Sequence, residues 1–136
     1  MNLRHETRPA TDGSARGDTL GGIAIGDFKH APHAVAWPRQ ALRARVLGGG
    51  AAQLHECWRA DGAVQEGRSQ GIHWRRTAHM LFGVIELDEG SAAPARADET
   101  PLQATSRVLY ERLFDLLRAQ RLPQLWRVWN YLARIN

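Results

Sequence analysis

Alternation with a period of two runs through the first two-thirds of the chain, and a helical period takes over near residue 100. In "ALRARVL" (41–47), Leu42, Ala44 and Val46 alternate with Arg43 and Arg45, the pattern of a half-buried strand. "IAIGDF" (23–28) is a shorter strand candidate. "AAQLHECW" (51–58) places Leu54, Glu56 and Trp58 on one face and His55 and Cys57 on the other. "GIHWRR" (71–76) sets Ile72 and Trp74 against His73 and Arg75. "HMLFGVIEL" (79–87) is nearly all apolar, which predicts a strand covered on both faces. Gly83 within it predicts a bulge or a close backbone approach. "GGG" (48–50) and Asp61-Gly62 punctuate these runs and predict antiparallel hairpins. Residues 1–20 are polar and read as a flexible N-terminal arm, leaving 21–136 as one folded domain.

"TPLQATSRVLYERLFDLLRAQ" (100–120) predicts one long helix. Thr100 suits the N-cap, Pro101 the first helical position, and Gln103 completes a capping box. Leu102, Leu109, Leu113, Leu116 and Leu117 form its apolar stripe, with Tyr110 and Phe114 at the edge. Pro123 cannot continue the helix. "LWRVWNYL" (125–132) then alternates again and predicts a final buried strand. The fold class is therefore α+β: an antiparallel sheet with one main helix packed on one face. A single helix covers only part of such a sheet, so some aromatic surface is left seeking a partner.

Composition narrows the functions. The 136 residues carry a formal charge of +4. Lys29 is the sole lysine, and the arginines are scattered rather than blocked, which fits GC-rich coding better than a nucleic-acid patch. Trp and Tyr interleaved with Arg would suit base stacking, but a strand beside a helix normally buries its aromatics, so no nucleic-acid partner is expected. No run approaches the ~18 apolar residues of a membrane span, so no membrane is expected either. The first residues have no apolar core of a secretion signal, and the lone Cys57 allows no internal disulfide. Both observations point to a cytoplasmic setting.

Local chemistry signals are weak. His30, His33, His55, Cys57, His73 and His79 lack the short-spaced pairs of a zinc site, so no metal is expected. His55 and Cys57 share a strand face about 6–7 Å apart, too far for a direct hydrogen bond. "LGGGAAQ" lacks the Gly-Lys-Ser/Thr ending of a phosphate loop and is followed by a strand.

The final stretch, "LWRVWNYLARIN" (125–136), resembles the signature of the chorismatases, the chorismate-hydrolysing enzymes. Arg127, Val128, Trp129, Asn130, Tyr131, Leu132, Ile135 and Asn136 match it, and Ala133 stands where that family usually has Pro. "HECW", "GIHWRRTAHMLFGVIELDE" and the Tyr110–Phe114 stretch fit the same family in the same order, so the resemblance covers about residues 20–136. It implies a YjgF/RidA-like fold with two such domains in one chain. It implies cleavage of the enolpyruvyl ether of chorismate to pyruvate and either a hydroxybenzoate or a dihydroxycyclohexadienoate, with no metal or organic cofactor. In that family the catalytic acid and the main carboxylate-binding arginines belong to a C-terminal domain. Glu86, at a strand end, and Glu111, on a polar helix face, are unconvincing acids.

The resemblance therefore implies the N-terminal domain of a chorismatase, cut where the catalytic domain begins and inactive alone, with no catalytic residue of its own. Its partners would be a chorismate-type small molecule in the complete enzyme, and the C-terminal catalytic domain or a second copy. Tyr131, Asn130 and Arg134 lie at the polar end of the last strand and are the candidates for facing the substrate, with Trp129 packed beneath them. Two other readings stand beside this one: a stand-alone RidA-like protein acting on reactive metabolites, and a non-catalytic binding module.

Overall fold

The computed structural model describes residues 2–9, 17–28, 35–47 and 52–132. Their elements run β1 (Leu3–Pro9), β2 (Thr19–Gly26), β3 (Arg39–Arg43), β4 (Gln53–Ala60), β5 (Gln65–Ser69), β6 (Ile72–Arg76), β7 (Leu81–Val84) and α1 (Pro101–Ala119). The α+β class expected from the pattern is present. The single antiparallel sheet is not: the strands form two sheets, ordered β1-β4-β2-β3 and β5-β6-β7. The β2–β3 pair is parallel, so these two strands do not form a hairpin. β1 forms in the stretch read as an arm and pairs antiparallel with β4, Glu6 opposite Cys57 and Arg8 opposite His55.

Turn chemistry explains the division. Asp61-Gly62, with Gly62 at φ +111°, does not close a hairpin; it carries the chain from β4 in one sheet to β5 in the other. The tight hairpin lies one strand later. Gln70 and Gly71 have φ of 50° and 85° and link β5 to β6 across two residues. Positive φ at both central residues is what a type I′ turn demands. Gly83 marks no bulge, since the β6–β7 register runs unbroken from His73–Val84 to Arg76–Leu81.

One face of the four-stranded sheet is buried at its centre. Cys57 and Ala24 are inaccessible there, and His55 is buried beside them. The Trp37 ring closes over Gly22 and stands edge-on to His55 at 6.1 Å. The opposite face meets the second sheet. A Cβ on Gly21 would lie 2.1 Å from the Phe82 ring, so the sheets touch where β2 offers bare backbone. Phe82 stacks on Trp58 at 5.5 Å, and Arg75 Nη1 donates to the Thr19 carbonyl at 2.6 Å. Arg59 Nε donates to Asp18 Oδ1 at 2.9 Å, pinning the entry of β2 to β4.

α1 begins with the expected capping box: Gln103 N donates to Thr100 Oγ1 at 3.2 Å, and Thr100 N to Gln103 Oε1 at 2.8 Å. The helix ends at Ala119, before Pro123 is reached. Arg121 N bonds Arg118 O and Leu122 N bonds Leu117 O, both at 3.1 Å, with Arg121 at φ 55°. That is a Schellman motif closed by a non-glycine residue. Arg76 Nη1 donates to the Gln120 carbonyl at 2.8 Å and Arg112 Nη1 to the Gln70 carbonyl at 3.2 Å, tying α1 to the second sheet. Ala104, Leu116 and Leu117 are buried, while Leu102 and Phe114 remain exposed.

Candidate binding pocket

β7 ends its sheet, and beside it a cavity of about 420 Å³ opens between α1, the four-stranded sheet and the segment that follows the helix. Leu109 and Leu113 of α1 form one wall, Ile23 and Gln40 of the four-stranded sheet another, and residues 127–132 a third. The volume falls in the range of small-molecule sites, and its walls are mostly apolar with a few polar groups.

The segment 125–132 differs from the sequence expectation. It forms no strand, and its side chains are exposed rather than buried: Trp126 is 77% accessible, Leu132 48% and Tyr131 46%. Strand patterning specifies a strand only when a neighbour supplies the ladder. Here the alternation is present, but the described residues make no ladder bonds to it. What holds the segment is side-chain packing. Trp129 lies 5.0 Å from the Trp58 ring and 6.3 Å from Phe82, and the Arg127 guanidinium sits 5.5 Å over Trp129. Trp129 thus turns inward to an aromatic cluster continued by His5, 4.9 Å from Trp58.

Of the candidate substrate-facing residues, Asn130 and Tyr131 both lie on the pocket wall. Arg134 lies outside the described residues. Asn130 Nδ2 donates to the Tyr110 hydroxyl at 2.9 Å, which fixes the segment to the helix. Burial, with Glu56 nearby, pushes the Tyr131 hydroxyl above its ordinary range, so it stays a neutral donor at neutral pH. Sequence reasoning passed over Tyr110 and Gln40. Tyr110 sat in plain view at the edge of the helical stripe; Gln40 lay just before the alternating run and gave no signal. Gln40 Nε2 donates to Glu86 Oε1 at 2.8 Å, so the pocket's rim carries an amide-held carboxylate.

The remaining titratable groups are placed by packing. Burial pushes the Cys57 thiol up, and burial with Arg39 and Arg8 nearby holds the His55 imidazole below its usual range. Arg59 holds the Asp18 carboxyl below the carboxylate range. Among the described residues no group of three or more His, Cys, Asp or Glu is placed to hold a metal ion. No helix of the described residues is long and apolar enough to cross a membrane.

Residues 56–136 match the family described as Chorismatase FkbO/Hyg5-like, N-terminal. The chain belongs to the chorismatase family. A chorismatase of Streptomyces rapamycinicus is 35% identical over 81 residues, 60% of this chain and 22% of the relative. A chorismatase of Streptomyces hygroscopicus is 39% identical over 82 residues, 60% of this chain and 21% of the relative. The chain therefore spans about a fifth of the length of the curated chorismatases it matches. A chorismatase crystal structure superimposes with a TM-score of 0.62 at 24% identity, covering 90% of this chain and 34% of that one. That likeness establishes a shared fold, over a larger share of the chain than the family match covers.

Proposed function

We propose that this chain is the N-terminal domain of a chorismate-hydrolysing enzyme, and that it builds one wall of the substrate pocket without turning over chorismate by itself. The observation that carries the reading is the family match to an N-terminal domain, made by a chain that spans about a fifth of the matched chorismatases. The pocket chemistry supports it. Hydrolysis of an enolpyruvyl ether begins with protonation of its methylene carbon, which needs an acid whose pKa is raised by burial. The acids that line the pocket, Glu86 and Glu89, are both exposed. Glu111 is exposed as well and faces Arg107 at 3.4 Å. A second domain would supply the acid and the guanidinium clamps that a dianionic substrate requires.

In this proposal Asn130 and Tyr131, with Arg134, face the substrate, and the Tyr110–Asn130 bond orients them. The products are pyruvate and either a hydroxybenzoate or a dihydroxycyclohexadienoate. The YjgF/RidA-like arrangement belongs to the same proposal, supported by the antiparallel β5–β7 sheet with α1 tied to it.

A pyruvate assay coupled to lactate dehydrogenase tests the reading. The 136-residue chain alone is expected to release no pyruvate from chorismate. A polypeptide that continues into a second domain is expected to do so, and to lose activity on Asn130→Ala. Turnover by the chain alone at stoichiometry above one would overturn the proposal.

A further inference from the structure

The walls of the pocket beside β7 differ in what they can hold. Most of the lining is apolar: Leu109 and Leu113 come from α1, Ile23 from β2 and Val84 from β7. A cavity of about 420 Å³ lined in this way has room for a substituted six-membered ring. The hydrogen-bonding groups gather where α1 meets the segment after it. Asn130 Nδ2 donates to the Tyr110 hydroxyl at 2.9 Å, and that hydroxyl donates to Asn130 Oδ1 at 3.2 Å. An amide has two N–H donors and two acceptor lone pairs, so this exchange leaves one of each open on Asn130. A hydroxyl both donates and accepts, and so answers both. A carboxylate answers only the donor, and a hydrocarbon answers neither.

The charges give an anion no advantage. Glu86 and Glu89 line the pocket, and Glu56 stands near enough to Tyr131 to help push its hydroxyl up. Glu86 accepts from Gln40 at 2.8 Å and also borders the neighbouring cleft, where Arg39 and Arg68 lie. Among the described residues that line the pocket, the guanidinium is that of Arg127, laid over the Trp129 ring at 5.5 Å. A carboxylate entering here would exchange water for apolar walls, with three carboxylates and one guanidinium around it. We propose that this pocket binds a small uncharged ring bearing a hydroxyl group, held at that hydroxyl by the open donor and acceptor of Asn130. The proposal deepens the reading above. It rests on that reading only in naming the hydroxylated ring, rather than the carboxylates, as the part of the substrate that this wall holds.

The test is a titration of the 136-residue chain with phenol, toluene and benzoate in separate arms, at neutral pH and constant ionic strength, read at the Asn130 side-chain amide by NMR. Phenol is expected to give saturable shifts and to bind about tenfold or more tighter than benzoate. Toluene is the more apolar ring and has no hydroxyl, so a cavity that is merely apolar would prefer it; phenol is expected to bind at least as tightly. Tyr110→Phe releases Asn130 from its anchor. It is expected to weaken phenol about threefold or more, the loss of a neutral hydrogen bond, while toluene binds as before. Toluene binding tighter than phenol, benzoate matching phenol, shifts that never saturate, or a Tyr110→Phe chain that treats phenol and toluene alike would overturn the assignment. A longer polypeptide that releases pyruvate, beside a chain that ignores phenol, sinks this proposal alone. Phenol binding by the chain, with no pyruvate from the longer polypeptide, supports this proposal and sinks the earlier reading.

Discussion

Replacing Gly21 by Ala tests the contact that joins the two sheets. The added Cβ would stand 2.1 Å from Phe82 Cδ1, 2.5 Å from Cε1 and 2.8 Å from Cγ. Carbon atoms in contact prefer about 3.5–4.0 Å, so the ring must retreat by roughly 1.5 Å. Because Cγ is among the close atoms, a tip rotation does not suffice and the whole ring has to move. Trp58 stacks on that ring at 5.5 Å and Trp129 lies at 6.3 Å, so the displacement disturbs the cluster holding the segment after α1. Overpacking of this kind costs about 1–3 kcal/mol. Against it stands a gain of about 0.4–1 kcal/mol, because Ala restricts the unfolded chain and Gly21 has no positive φ to preserve. The net expectation is a loss of about 1–2 kcal/mol, or a urea midpoint lowered by roughly 0.5–1 M for an m-value near 2 kcal/mol/M. In a Phe82→Ala background the clash is gone and only the gain remains, so Gly21→Ala should then be neutral or stabilising. Tryptophan fluorescence during urea unfolding of the four chains reads both values. The same sign in both backgrounds, with coupling below about 0.5 kcal/mol, would refute the close packing of β2 on Phe82.

Other expectations follow from individual residues. Gln70→Asn and Arg121→Gly each relieve a positive φ held by an unsuited side chain, and each should raise stability by up to about 1–2 kcal/mol in thermal or chemical denaturation. Cys57 is fully buried and its thiol is pushed up; Ellman's reagent should react with it only as fast as the chain opens, and prompt reaction in native buffer would contradict that burial. The depressed His55 and His73 favour neutral imidazoles in the folded state. Their contribution is therefore complete above the ordinary histidine pKa of ~6.5 and is lost as pH falls through the lower folded values. Stability measured between pH 7.5 and 5 should decline, and less steeply in His55→Gln. The exposed Trp126, Tyr131 and Leu132 predict self-association at high concentration; light scattering should report it, and Trp126→Ser should reduce it.

Where local chemistry decides structure, the sequence was readable. The α1 cap needed only Thr100, Pro101 and Gln103, and all three act as their positions imply. The two faces of β4 came from parity alone: His55 and Cys57 are buried, while Leu54, Glu56 and Trp58 form the half-exposed face. Partner choice was not readable in this way. Asp61-Gly62 is a hairpin dipeptide by composition, yet nothing local says whether the next strand returns to β4 or starts a new sheet. The parallel pairing of β3 with β2 is likewise invisible to alternation, which fixes a strand's faces and not its neighbour or direction. β1 failed for a related reason. Its sequence, LRHETRP, is too polar to announce a strand, and it forms because the edge of β4 offers a complete ladder.

The segment 125–132 reverses that last case, and the comparison explains the candidate site. β1 has weak strand patterning and a free edge to pair with, so it is a strand. "LWRVWNYL" has strong patterning, and it lines the cavity that opens beside β7, yet it makes no ladder. Trp129 is drawn to Trp58 and Phe82, and Asn130 is held by Tyr110, so two adjacent residues are anchored by side chains to different elements. Trp126 is left outward, and Tyr131 and Leu132 stay half exposed on the pocket wall. Burying them would release on the order of 1.5–3 kcal/mol per large apolar side chain, a drive for an apolar surface to be laid against the segment. The alternation thus suits the proposal above, in which the surface of a second domain covers this segment.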